Sequence, residues 1–160
     1  MVTTGVMRTD RRLPAHARLR WVSQGALGFT ILQLAIASAA APVTVSGSWF
    51  RYILPQIPAG GYMTLQNHSS RPAVLTGAAS LACGMLMLHR TEADAMADVP
   101  SVTVPAGGTF SFSPGGYHLM CMQPKMKPGE TVPVTLTFQD GREVSAMFPV
   151  FSANEQPNAR

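Results

Sequence analysis

Two runs of alternating apolar and polar residues face each other across a glycine turn, and they commit the chain to β-structure. Thr131 to Phe138 reads Thr-Val-Pro-Val-Thr-Leu-Thr-Phe, the period-two pattern of a strand with one buried face. Asp140-Gly141 follows, a dipeptide that closes β-hairpins because glycine accepts a positive φ without steric cost. The returning segment sets Val144, Ala146, Phe148 and Val150 on one face. Pro133 lacks an N–H, which predicts that its strand lies at a sheet edge or carries a bulge.

The same grammar runs upstream. Strands are expected at Val43–Val45, Tyr62–Gln66, Ala73–Ala78 and Met85–His89. Phe110 and Phe112 alternate with Thr109, Ser111 and Ser113, Pro114-Gly115-Gly116 turns the chain, and Tyr117–Met122 forms the next strand. No segment beyond residue 41 has a helical period; Thr91–Asp98 reads as one short helical turn or a loop. Short strands at this spacing predict a single all-β domain, a sandwich or barrel. The polar residues Ser152–Arg160 are expected to fray.

Residues 1–41 have a different character. Five of the twelve basic residues and one of the eight acids lie there, leaving seven of each in the rest. The excess positive charge therefore belongs to the N-terminus, and a nucleic-acid-binding domain, which needs a basic surface of its own, is excluded. Arg11, Arg12, Arg18 and Arg20 precede an apolar stretch from Ala26 to Ala37, followed by Ser38-Ala39-Ala40-Ala41. This is the layout of an export signal cleaved near residue 41, with an uncleaved membrane anchor over about residues 21–41 as the alternative. Arg11-Arg12 is a faint twin-arginine signal. The domain is thus 42–160, outside the cytoplasm, and membrane contact requires the anchor to be retained. An oxidising compartment leaves Cys83 and Cys121 as a disulfide or as two buried thiols.

Strand parity separates Tyr117-His118-Leu119-Met120-Cys121-Met122 into two faces. Tyr117, Leu119 and Cys121 form a core face; His118, Met120 and Met122 share the other, about 7 Å apart in successive steps. An imidazole and a thioether on one side are neutral, soft donors, which select Cu(I). Zn(II) sites favour thiolates, imidazoles and carboxylates, and Mg(II) or Ca(II) needs oxygens. Met85, Met87 and His89 alternate on one face of the preceding strand, with Met96 beyond. Against this stands packing: methionine is a flexible gap filler, and Met85, Met87, Met122 and Met147 would serve as core residues. His68, in a turn-like stretch, reads as solvent exposed.

Several stretches resemble the periplasmic copper chaperone PCu(A)C family: Trp49 and Arg51 as its early Trp-x-Arg, Gly61-Tyr62-Met63-Thr64-Leu65-Gln66-Asn67, Val104-Pro105-Ala106-Gly107-Gly108, and Pro114-Gly115-Gly116-Tyr117-His118-Leu119-Met120. The family's metal pattern is His-x10-Met-x21-His-x-Met. Met96 stands 21 residues before His118-Leu119-Met120, and His89 takes the first histidine's place. The resemblance implies a cupredoxin-like Greek-key β-sandwich or barrel, a Cu(I) site made of His89, Met96, His118 and Met120, and carriage of copper in the periplasm to a receiving protein, a cytochrome c oxidase subunit or another copper chaperone. Two departures stand out: Cys121, whose parity points it away from His118 and Met120, where an apolar residue is more usual, and an altered loop after His89. Only six residues separate His89 from Met96, and Arg90 follows His89 where the family usually has Glu. Should Met96 fail as a ligand, Met87 or Met85 shares a face with His89.

No Gly-x-Ser-x-Gly, phosphate loop or cluster of acids suggests catalysis, so the chain reads as a carrier with one Cu(I) site and none in its tail. Two rivals remain: an envelope interaction module that has lost copper binding, and a copper storage or resistance protein.

Overall fold

The computed structural model describes residues 42–93, 95–155 and 157. Ten strands follow in order: β1 (Val43–Tyr52), β2 (Ala59–Asn67), β3 (Ala73–Ala79), β4 (Met85–Glu92), β5 (Ala95–Asp98), β6 (Val102–Val104), β7 (Thr109–Phe112), β8 (Tyr117–Met122), β9 (Thr131–Phe138) and β10 (Glu143–Ser152). No helix occurs among the described residues. Hydrogen bonding links the strands in the order β5-β4-β8-β2-β1-β10-β9-β3-β6, with β7 beside β2, and the sheet curls into a half-barrel. Among the described residues only β1 and β10 pair in parallel. The all-β, single-domain expectation holds; the leader lies outside the described residues.

The core fills the inside of the curl. Phe50, Leu65, Leu75, Leu119, Val134, Leu136, Phe148 and Cys121 are fully enclosed, and Phe50 packs on Phe148 with ring centroids 5.1 Å apart. Strand alternation delivers these residues to one face, and burying each large apolar side chain is worth about 1.5–3 kcal/mol. Gly61 is required where β1, β2 and β8 meet, because a Cβ there would stand 2.6 Å from the Phe50 ring and 3.1 Å from Leu119 Cβ. Asn67, also enclosed, ties the β6–β7 connection to the end of β2. Its Nδ2 donates to the Arg71, Val104 and Pro105 carbonyls at 2.8, 3.3 and 3.0 Å, and its Oδ1 accepts from Ser69 N at 3.1 Å and Ser69 Oγ at 2.8 Å. His68 is exposed, as expected.

Two expectations need revision, and one open choice closes. Pro133 lies in a strand flanked by β10 and β3, not at the edge of the sheet, but the β3 ladder ends at Thr135, so Pro133 has a strand partner on one side alone. The missing N–H is tolerated where the ladder has already stopped. Thr91–Asp98 is neither helical turn nor loop: β4 runs on to Glu92, the chain reverses after Ala93 (φ 51°), and β5 returns alongside. Finally, the open choice at Cys83 and Cys121 is resolved as a disulfide, with Cα atoms 5.3 Å apart.

Candidate metal centre

Register decides which side chains meet. In the antiparallel β4–β8 pair, His89 lies opposite His118, Met87 opposite Met120 and Met85 opposite Met122. In β4–β5, Asp98 lies opposite His89 and Met96 opposite Thr91. Residues opposed across antiparallel strands share a face, so all four expected donors lie on one side of the β5-β4-β8 sheet. The other side carries Leu86, Leu88, Leu119 and the disulfide, buried in the core. Arg90 is also on that other side, its guanidinium 5.6 Å from the Tyr117 ring centroid, so the exchange of Glu for Arg after the first histidine does not put a cation on the donor face.

His118 is the best defined of the candidate donors. Its Nδ1 lies 3.0 Å from the Gly116 carbonyl oxygen. A carbonyl only accepts, so Nδ1 carries the proton and Nε2 keeps its lone pair. That Nε2 is buried and has no partner, an arrangement that costs free energy unless something accepts the lone pair. Met120 is 8% exposed, whereas Met96 on the edge strand β5 is 61% exposed. These three line one cavity of about 350 Å³.

His89 stands slightly apart. Its ring centroid is 5.9 Å from that of His118, but it does not line the cavity. Its Nδ1 is buried without a partner, and its Nε2 lies 2.7 Å from Asp98 Oδ1. That Nε2 likewise makes no directed hydrogen bond, so its approach to Asp98 is a close polar contact. Among the described residues no group of three or more His, Cys, Asp or Glu side chains gathers as a metal site; the soft side chains that line the cavity beside His118 are the Met96 and Met120 thioethers.

The opposite wall is aromatic and cationic. The Arg51 guanidinium lies 5.4 Å from the Trp49 ring centroid and 5.9 Å from that of Tyr62, and no carboxylate pairs with it among the described residues. Burial pushes the Tyr62 phenol up, with the Arg51 charge pulling the other way, which keeps the hydroxyl protonated. A fixed positive charge beside a metal penalises a doubly charged ion more than a singly charged one. Gly60 makes room for this wall, since a Cβ there would fall 2.6 Å from the Tyr62 hydroxyl. Sequence reading missed Asp98 and this wall. Nothing in the residues around Asp98 foretold a strand, and Arg51 was visible only as a motif position.

Known proteins share this architecture. A family model described as "Putative lipoprotein LpqE-like" matches residues 43–150. "Putative lipoprotein Lxx21020" of Leifsonia xyli subsp. xyli is 35% identical over 120 residues, 68% of this chain and 69% of its own. Among solved structures, the copper-bound PCuAC domain from PmoF2 superposes with a TM-score of 0.62 at 25% identity, over 71% of this chain and 96% of that domain. The solution structure of CuI-DR1885 from Deinococcus radiodurans gives 0.61 at 37% identity, over 75% and 85%. The chain therefore belongs to the LpqE-like family, and its domain is of the PCu(A)C copper-chaperone type.

Proposed function

We propose that this chain is an exported copper carrier that binds one Cu(I) tightly through His89, Met96, His118 and Met120. It then yields the ion to a receiving protein such as the copper centre of cytochrome c oxidase. The observation that carries the reading is the buried, unpartnered Nε2 of His118, in a side chain that lines one cavity with the Met96 and Met120 thioethers. Two imidazoles and two thioethers are all neutral, match the softness of Cu(I), and hold it without thiolates that would resist release. Cys83 and Cys121 are joined on the far side of the sheet, so neither competes for the metal as a thiolate. His118 acts through Nε2 and His89 through Nδ1, the nitrogen that Asp98 leaves open. Export is supported by the basic and apolar pattern of residues 1–41 and by relatives named as lipoproteins. The gathering of three donors at one cavity favours this reading over an interaction module that has lost copper.

The test is anaerobic Cu(I) titration against a competing chromogenic chelator. One tight equivalent is expected in the wild type, and His118→Ala or Met120→Ala should each weaken it by roughly tenfold or more. Unchanged affinity in both variants would refute the assignment.

A further inference from the structure

The β4–β8 register does more than pair the histidines. It stacks three tiers of soft side chains on one face: His89 opposite His118, Met87 opposite Met120, and Met85 opposite Met122. The copper reading uses the first tier and half of the second. Met85, Met87 and Met122 are left over, and the core does not account for them. Its gap-filling methionines are Met63 and Met126, exposed by 1% and 2%. Met85 is 57% exposed, and Met87 and Met122 are half-buried. Their neighbours along the strands, Leu86, Leu88 and Cys121, fill the core side instead. A threonine or charged residue would suit an open sheet face better than three thioethers.

We propose that Met85, Met87 and Met122 form a second, weaker Cu(I) site, one tier along the sheet from the His–Met centre. This rests on the copper-carrier reading for the choice of metal. Cross-strand Cβ atoms stand about 5 Å apart and successive same-side residues about 7 Å. Each methionine has three rotatable bonds beyond that, so three sulfurs can converge on one ion. Thioethers bring softness without charge, which selects Cu(I) over harder cations. Exposure and the entropy of fixing three flexible side chains keep the site weak. Met87 and Met120, opposed in the middle tier, belong to adjacent sites. An ion passing between them exchanges one neutral donor for another and remains Cu(I), with no electron or proton moved. The ladder is thus a loading and unloading track, and its outer end at Met85 is the more exposed.

The test is Cu(I) titration of the full chain carrying ¹³C-methyl methionine, under anaerobic conditions, read by NMR. The first equivalent should shift the Met96 and Met120 methyls. Further copper should shift Met85, Met87 and Met122 together, with one shared, weaker saturation. The double variant Met85→Leu/Met122→Leu, close in volume and polarity, should lose the second phase and keep the first. His118→Ala should weaken the first and keep the second. Met85, Met87 and Met122 methyls that stay still, or a second phase that survives the double leucine variant, would overturn the outer site while leaving the carrier reading intact. Methyls that do not respond at any position would overturn both.

Discussion

His118 shows how much one hydrogen bond decides. The Gly116 carbonyl takes the Nδ1 proton, and without that contact the ring would be free to present either nitrogen. Parity along Tyr117–Met122 is enough to see that His118 and Met120 share a face, because a strand alternates strictly. The tautomer was not legible, since it depends on a turn carbonyl two residues away whose direction only the folded backbone fixes. Asp98 was invisible for the same reason: its position opposite His89 exists only once β5 forms. Its carboxylate holds the Nε2 edge of His89, so Asp98→Ala is expected to weaken Cu(I) binding by roughly tenfold, the low end for residues that orient ligands. Asp98→Asn, which keeps an oxygen there, should recover part of the loss in the same chelator competition. Gly61 makes a purely structural prediction. A methyl group forced against Phe50 and Leu119 should lower the stability of Gly61→Ala by about 1–3 kcal/mol, read from the urea midpoint.

At the scale of elements, the β4–β5 hairpin answers the question raised by the short spacer between His89 and Met96. Six residues make too short a loop to fold back freely, but they suffice for a tight reversal after Ala93, with both flanking segments extended. The helical-turn expectation failed because Glu-Ala-Asp-Ala-Met-Ala is rich in residues that favour helix, and pairing with β4 overrides that preference. Met96 thereby reaches the cavity from an exposed edge strand. Met96→Leu should therefore weaken copper binding less than Met120→Leu, and the opposite order in titration would contradict this placement. The disulfide joins the approach to β4 with β8, the two strands that carry both histidines. Spanning 38 residues, it is expected to contribute about 2–4 kcal/mol, seen as a lower urea midpoint in Cys83→Ala/Cys121→Ala. The β9–β10 hairpin was the most legible element, and Asp140 shows what its sequence leaves out. The Arg142 backbone N–H, and then its side chain, hold the Asp140 carboxyl below the usual carboxylate range. A depressed pKa stabilises the fold above the unfolded value, near 3.9, and that contribution is lost as pH falls through the folded value. The Arg142 amide resonance should accordingly shift only in acid below the normal aspartate range.

For the molecule as a whole, the all-β class was readable because strand periodicity and turn dipeptides recur along residues 42–150. The sheet order was not. The parallel β1–β10 contact and the late return of β8 between β4 and β2 are long-range choices that no local pattern records. Those choices bring the Arg51 wall, carried on β1, to the cavity lined by donors from β5 and β8. The proposed centre is therefore a property of the curled sheet, and its four candidate donors should not bind copper tightly once the sheet is unfolded. Cu(I) loading should raise the melting temperature in proportion to the logarithm of free copper. X-ray absorption at the copper K edge of the singly loaded protein should show Cu(I) with two imidazole nitrogens and two thioether sulfurs, falling to a single imidazole in His118→Ala. A copper coordination shell without sulfur, or an unchanged spectrum in that variant, would contradict the proposed ligand set.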